Sequence, residues 1–376
     1  MSTSELPGTD IVEVSIFGPG KGESVLVHLG NGKWIIVDSC VDPATNGIPA
    51  IEYLDGMGVS LDRDVLMVLG THAHDDHIAG ISRALSFCKS AFFACSSALT
   101  GEEFVSILEE DFQAELGLRK SAYSEYRKIL DIVDDRRKAA GGKRFLKRAV
   151  EALPLIDETW QDGSKCRVTA LSPSHEAVTR ALRILANASI AVEGKPRRPF
   201  RGDPNEFSVV LWIESFDKII LLGADLVNGP VGCGWMGILS EFAPTEVASL
   251  FKVPHHGAPN ADHPEVWERL LAKDPVALLA PFSGGRRPRP DAADVDRISA
   301  RTRRAFITAS PVPTLPSNVV KRYKADLGNL AINAREQWGG VGQVRARSKA
   351  GQCEWEVDLV SPAEELQRVK TRRKRR

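Results

Sequence analysis

No apolar run in these 376 residues approaches the ~18 that a membrane-spanning helix needs. The first residues, Met1-Ser-Thr-Ser-Glu-Leu-Pro, have neither the basic nor the apolar segment of a secretory signal. A cysteine framework is missing too. Six cysteines lie scattered at 40, 88, 95, 166, 233 and 353 without a CxxC pair, which fits a reducing cytosol. The chain has no surplus of either charge, with 49 Lys and Arg against 49 Asp and Glu, so any attraction to nucleic acid must be local, and no membrane partner is expected. There is no internal repeat. What is present is 43% apolar and 26% charged residues, the make-up of a globular protein with a substantial core. The length suits two or three domains or one large α/β domain.

Strand signals open the chain. Ile11–Phe17, Ser24–Leu29, Trp34–Val37 and Val65–Leu69 are rich in Val and Ile, and Gly30-Asn31-Gly32 reads as a hairpin turn. Residues 47–58 read as a helix. A second set of strands is expected at Arg167–Leu171, Ser208–Ile213, Lys218–Leu222, Ser249–Val253, Val276–Leu279 and Ala305–Thr308. Its helices are expected near Glu176–Ala191, 264–272 and 291–303, with late strands at Leu330–Asn333, Gln343–Arg347 and Glu354–Leu359. Two such halves predict two packed sheets with helices outside.

Residues 101–150 differ in kind. Apolar residues recur at helical spacing (Phe104, Ile107, Leu108, Phe112; Tyr126, Ile129, Leu130, Val133) without a proline. The segment reads as a helical insertion at the edge of the sandwich, outside either sheet. Its charge is segregated: six acidic and no basic residues in 102–115, seven basic and no acidic ones in 136–148. That polarity suits a lid or a docking element for a protein or phosphate-bearing partner. Residues 1–360 are expected to form one domain containing this insertion. Residues 361–376 are expected to be a disordered basic tail, since the last nine contain seven Lys or Arg.

The most informative residues are Thr71-His72-Ala73-His74-Asp75-Asp76-His77, directly after the apolar run Val65–Leu69 and a glycine. Three of the eight histidines of the chain fall within six positions here. Imidazole and carboxylate together suit Zn²⁺, Mn²⁺ or Fe²⁺. In an extended segment His72, His74 and Asp76 share a face because side chains alternate. His77 reaches a second position as the chain turns into a helix at Ile78, which fits two adjacent metals.

This run matches the HxHxDH signature, and from Ile11 to about Ser310 the chain resembles the metallo-β-lactamase fold superfamily. The resemblance implies an α/β fold, a four-layer αβ/βα sandwich. It implies that Asp38, closing Trp34-Ile-Ile-Val-Asp38, orients a ligand. It further implies that Asp225, closing Lys218-Ile-Ile-Leu-Leu-Gly-Ala-Asp225, bridges metals, and that Val253-Pro-His255-His256-Gly257 supplies the final histidine. Within the superfamily the chain is similar to the hydrolase domain of ComEC-type competence DNA-uptake channels and their stand-alone relatives. The turn Gly20-Lys21-Gly22-Glu23-Ser24, the strand start Asn205-Glu-Phe-Ser208-Val-Val-Leu and the histidine doublet carry that likeness.

One family ligand is missing, a histidine between the cluster and the bridging Asp. The only candidate in that interval, His175 in Ser172-Pro-Ser-His175-Glu, sits at an expected helix start and reads as a surface residue. A site of Asp76, His77, Asp225 and His255 or His256 is complete. A site of His72, His74 and Asp225 is one ligand short unless the doublet's other histidine or Asn205 supplies it. His28 reads as a strand residue, and His263, before Pro264, as a proton donor at the mouth of the site.

Two divalent ions, Zn or Mn, bridged by Asp225 and a hydroxide, are therefore expected. A metal lowers the pKa of bound water from 15.7 to roughly 7, and two dications against two carboxylates leave about +2, which favours an anionic substrate such as a phosphodiester. Lys195, Arg197, Arg198 and Arg201 before Asn205, then Arg286, Arg287 and Arg289, are candidates for holding nucleic-acid backbone. The expected function is a metal-dependent phosphodiesterase or nuclease acting on nucleic acid or a nucleotide, with Asp76 and His263 as its catalytic residues. The rival readings are a hydrolase of a lactone, thioester or cyclic nucleotide, and a non-catalytic partner subunit that binds through residues 101–150. The intact ligand run argues against the last.

Overall fold

The computed structural model describes residues 5–20, 22–98, 120–160, 162–189, 203–282, 288–311 and 340–369. Sixteen strands account for its frame: β1 (Ile11–Gly20), β2 (Gly22–His28), β3 (Trp34–Val37), β4 (Val65–Gly70), β5 (Phe92–Ser96), β6 (Leu146–Ala149), β7 (Leu153–Thr159), β8 (Lys165–Ala170), β9 (Leu211–Ser215), β10 (Lys218–Leu222), β11 (Ala248–Lys252), β12 (Leu271–Leu279), β13 (Ala305–Ile307), β14 (Gly342–Lys349), β15 (Glu356–Val360) and β16 (Glu364–Glu365). They form two mixed sheets of eight. One runs β15-β14-β1-β2-β3-β4-β5-β6, the other β16-β13-β12-β11-β10-β9-β8-β7.

Alternation of side chains explains why the sheets stack. In Trp34-Ile-Ile-Val, Ile35 and Val37 join Val12, Val14, Val25 and Leu69 and meet Ile213, Ile220, Leu250 and Leu278 of the other sheet. Trp34 and Ile36 point the other way, against Ile51, Leu54, Ile81 and Leu85 of the Pro49–Gly56 and Ile81–Phe87 helices. On the second sheet Trp212, Leu221, Phe251 and Leu279 face outward onto Trp235, Ile238, Val295 and Ile298 of the Gly234–Glu241 and Ala292–Arg301 helices. Strands buried on both faces read as unbroken apolar runs. The result is the four-layer αβ/βα sandwich that the sequence implies, consistent with the metallo-β-lactamase fold.

Several expectations need correction. Of the helical insertion, 101–119 lies outside the described residues. Lys120–Ala139 is a helix that lays Tyr126, Ile129 and Val133 on the outer face of the first sheet. Leu146–Ala149, expected outside any sheet, is strand β6, parallel to β5. It is an edge strand, where lysine and arginine are common because they discourage further pairing. Those charges imitate the polar face of a helix in sequence. The basic run is also partly structural: Arg136 donates to the carbonyls of Ala91 (2.9 Å) and Leu85 (2.5 Å), the latter in the last turn of the Ile81–Phe87 helix.

The expected tail begins too early as well. Glu364–Glu365 pairs with β13, and Leu366 and Val369 are fully buried in the outer cluster of the second sheet. Two apolar side chains three positions apart outweigh the surrounding charge, and 370–376 lies outside the described residues. The helix expected at 264–272 is five residues, Val266–Leu270, after which the chain enters β12 at Leu271. Strand β7 and the Gly234–Glu241 helix were not foreseen, and the expected strand Leu330–Asn333 lies outside the described residues. No helix among the described residues is long and apolar enough to cross a membrane.

His28 is a fully buried residue of β2, as expected. Its Nδ1 donates to the Ile11 carbonyl (2.7 Å) and its Nε2 accepts from the Gly32 amide (3.1 Å), so the ring is held neutral. Burial drives its pKa from 6.5 down to about 4, against the hydrogen bond to Ile11, with Arg347 adding to the drop. An unfolded chain takes up this proton below 6.5 while the folded chain refuses it until about 4. The stabilisation is therefore complete above pH 6.5 and lost as pH falls toward 4, by about 3 kcal/mol. Urea unfolding across that window is expected to show this loss, and His28→Gln is expected to flatten it. An equal slope in both proteins would place its origin elsewhere.

Candidate metal centre

The side chains that could hold a metal emerge where parallel strands end side by side. β3 leads into Asp38, β4 into Thr71–His77, β10 into Asp225, β11 into His255–His256 and β12 into Ala280–Phe282. Neighbours β3, β4 and β5 run parallel, as do β10, β11 and β12, so their C-terminal ends gather at one edge, where open α/β sheets form binding crevices.

Asp38, itself at φ 59°, organises the first loop. Its carboxylate accepts from the Thr71 amide (2.7 Å) and hydroxyl (2.8 Å) and lies 2.7 Å from His77 Nδ1. That contact keeps the His77 proton on Nδ1 and turns Nε2 into the crevice. The short Asp75–Ile78 helix then brings Asp76 alongside. Across the crevice His255, His256 and Gly257 take φ values of 50°, 52° and 80°. Such a left-handed run is strained for non-glycine residues and clusters at functional sites. It parts the doublet.

His256 enters the cluster. Its Nδ1 lies 3.0 Å from the Ala280 carbonyl, its ring stacks on Phe282 at 5.0 Å, and its Nε2 is 3.2 Å from Asp76 Oδ2 and 3.5 Å from Asp225 Oδ2. His77 Nε2 is 3.3 Å from Asp225 Oδ2 and 3.8 Å from Asp76 Oδ2. One ligating atom each from Asp76, His77, Asp225 and His256 thus lie within 4.8 Å of one another. His255 turns away, its Nε2 3.4 Å from Asn205 Nδ2 and its Nδ1 3.1 Å from Asn260 Oδ1.

Other expected members take lesser places. His72 Nδ1 meets the Thr71 hydroxyl at 2.9 Å, and its Nε2 lies 3.1 Å from His74 Nδ1. Among the described residues no third His, Cys, Asp or Glu completes a coordinating group with this pair. Asn205 is buried on the turn Pro204–Phe207, which Phe207 anchors to Ala177, Ala181 and Leu185 of the His175–Ser189 helix. Its Oδ1 has no hydrogen-bond partner. His175 is exposed near Glu151, as a surface residue. His263, expected as a proton donor, lines a separate small cavity with Phe251, Trp267 and Arg297, none of them in the cluster. Arg289 binds Asp291 (3.0 Å) and the buried Asp294 (2.6 Å) at the start of the Ala292–Arg301 helix, which takes it out of the expected backbone-binding set. Lys195–Arg201, Arg286 and Arg287 lie outside the described residues.

Two residues were missed as part of the site. Lys252 is buried beneath the cluster, donating to the Ala224 carbonyl (2.8 Å), pairing with Glu23 and lying 3.5 Å from Asp225 Oδ1. Glu23 Oε2 is 3.5 Å from His256 Nδ1. A lysine inside the apolar run Ser249–Val253, beside the histidine doublet, was the available signal.

The electrostatics match this crowding. Burial disfavours charge on His77 and His256, but Asp225 leads the carboxylates that outweigh it. His77 is held well above its usual value and His256 at about 10. Burial also opposes charge on Asp225, yet His77, His256 and Lys252 hold its carboxyl well below the usual range. Burial, with His77 and His74 nearby, keeps His72 neutral far below 6.5. A dication held by these four residues would take the place of protons on the two imidazoles. The donor set of two imidazole nitrogens and two carboxylate oxygens suits a zinc- or manganese-type ion, and the buried Nε2 of His77 has no hydrogen-bond partner of its own. The residues fit the group.

No family model and no curated protein matches the chain. Solved structures do. MEM-A1, a subclass B3 metallo-β-lactamase from a soil metagenome library, is 11% identical over 67% of this chain and 78% of its own, with a TM-score of 0.35. The metallo-β-lactamase fold protein YhfI of Bacillus subtilis is 16% identical over 64% and 70%, with a TM-score of 0.31. BJP-1, a subclass B3 metallo-β-lactamase of Bradyrhizobium japonicum, is 17% identical over 71% and 81%, with a TM-score of 0.31. At these identities and scores the likenesses carry no statement about activity.

Proposed function

We propose that the protein is a metal-dependent hydrolase of phosphodiester bonds, acting on nucleic acid or nucleotides. The observation that carries this reading is the convergence of Asp76, His77, Asp225 and His256 at the ends of β4, β10 and β11. A bound divalent ion supplies Lewis acidity, acidifying water and stabilising charge on the attacked group. The chain's own residues do the rest. Asp38 and the Ala280 carbonyl hold the Nδ1 atoms of His77 and His256, so that each Nε2 is presented to the ion. Asp76, the only one of the four with a part-exposed side chain, stands on the open side and meets the substrate.

Support for an anionic substrate comes from chain connectivity. Phe282 stacks on His256, and the sequence carries Arg198 and Arg201 shortly before Asn205 and Arg286 and Arg287 shortly after Phe282. The ComEC-type likeness rests on its three short sequence matches, and the Gly20–Ser24 turn is one that serves the centre here, since its Glu23 reaches His256 and Lys252.

The test is metal analysis of the purified chain, followed by nuclease and phosphodiesterase assays on single- and double-stranded DNA, RNA and a nitrophenyl phosphodiester with Mn²⁺ or Zn²⁺. The expected result is a bound ion and chelator-sensitive cleavage. A metal-loaded chain that leaves every phosphodiester intact while opening lactones or thioesters would overturn the substrate class.

A further inference from the structure

Asp225 shows its two carboxylate oxygens to different partners. Oδ2 faces His77 Nε2 at 3.3 Å and His256 Nε2 at 3.5 Å, whereas Oδ1 faces Lys252 Nζ at 3.5 Å. Lys252 is 2% exposed and is held in place by the Ala224 carbonyl and by Glu23, equally buried. An ammonium group is costly to bury and persists only where it is paired. Here it sets a fixed positive charge on the oxygen of Asp225 that faces neither His77 nor His256.

The opposite side is poorly furnished for a second ion. His72 and His74 contact one another, and among the described residues no third His, Cys, Asp or Glu completes a coordinating group with them. Of the two residues the sequence offered to complete that position, His255 has its ring nitrogens 3.4 Å from Asn205 Nδ2 and 3.1 Å from Asn260 Oδ1, and Asn205 brings only the neutral oxygen of an amide, Oδ1, which has no hydrogen-bond partner. A second dication would also approach a carboxylate already shared with a cation.

Resting on the reading of the protein as a metal-dependent hydrolase, we propose that the centre holds one divalent ion per chain, on Asp76, His77, Asp225 and His256, and that the Lys252 ammonium serves as the second positive charge on Asp225. The two-metal arrangement expected from the sequence is thereby replaced by one metal and one lysine. Lys252 is a positioning residue: it fixes which oxygen Asp225 offers.

The experiment measures metal content and does not depend on activity. The full chain is stripped with chelator, reloaded with Mn²⁺ and assayed by plasma mass spectrometry and electron paramagnetic resonance. One ion per chain and a spectrum of isolated Mn²⁺ are expected. His74→Ala should keep that ion, and His256→Ala should lose it. Two ions per chain with an exchange-coupled spectrum, one of them lost in His74→Ala, would overturn the proposal. A folded wild-type chain that binds no ion would overturn the hydrolase reading and this proposal with it. Lys252→Met, its fold checked by circular dichroism, should take up a second ion because Asp225, released from the ammonium, is free to turn Oδ1 toward His72 and His74. Since that variant strands Glu23, Glu23→Gln/Lys252→Met removes both opposed charges as a second variant. A folded variant of either kind that still takes one ion would refute the role given to Lys252.

Discussion

Asp76→Ala is expected to abolish metal binding and hydrolysis while leaving the fold intact. Asp76 contributes one of the four converging ligand atoms, 3.2 Å from His256 Nε2, yet its side chain is part-exposed and lies outside every apolar cluster. Removing it takes little from packing. The metal is worth several kcal/mol of transition-state stabilisation, so cleavage should fall roughly a thousandfold or more. His77→Ala should give the same loss of metal and activity, but with a lower melting temperature. Its ring is fully buried between Asp38 and Asp225, and its removal leaves Asp225 short of one partner, a cost of about 3–5 kcal/mol for a broken buried pair. Calorimetric metal titration, cleavage rates and thermal melts of the three proteins decide the matter. Variants that bind metal normally and cleave at the wild-type rate would sink the assignment of the centre.

Gly22→Ala should weaken the centre without touching a ligand side chain. A Cβ at Gly22 would lie 2.0 Å from the backbone oxygen of Asp76 and 2.5 Å from its carbonyl carbon. No rotamer relieves a clash with backbone, so the peptide carrying the ligand must move. The residue also sits at φ 116°, which is strained for any L side chain, by about 1–3 kcal/mol. Gly32→Ala separates the two causes. It too has a positive φ, 70°, but an added Cβ meets nothing within 4 Å. Both variants are expected to melt earlier than wild type, while only Gly22→Ala weakens metal binding, by roughly 10–100-fold, as removal of ligand support does. Equal metal affinity in both would show that the close approach of β2 does not seat Asp76.

The legible part of this protein was local. A dense run of His and Asp shortly after an apolar strand is visible in a linear reading, and Asp76 and His77 were found that way, whereas Asp38 and Asp225 followed from the resemblance that this run carries. The strands themselves were legible because burial on both faces leaves unbroken apolar runs such as Trp34–Val37 and Lys218–Leu222. Misreadings came where a charged stretch has two explanations. The basic residues of 143–148 suit a helix face or an edge strand, and only pairing with β5 selects the strand.

By itself the sequence determined which chemistry the crevice can hold, because the imidazoles and carboxylates of His72–His77 are covalently placed within six positions of one another. Tertiary structure alone decided which of them meet. His255 and His256 are adjacent and chemically identical. Their separation into an inward and an outward ring depends on two left-handed φ values, on the Ala280 carbonyl and on Asn205, which come together only when β11, β12 and the Pro204–Phe207 turn are assembled. The same holds for Lys252 and Glu23. They are 229 positions apart in the chain, and their buried pair forms only because the two sheets place the start of β2 against the end of β11. A charge pair of that kind is a property of packing, since in water neither group has reason to find the other.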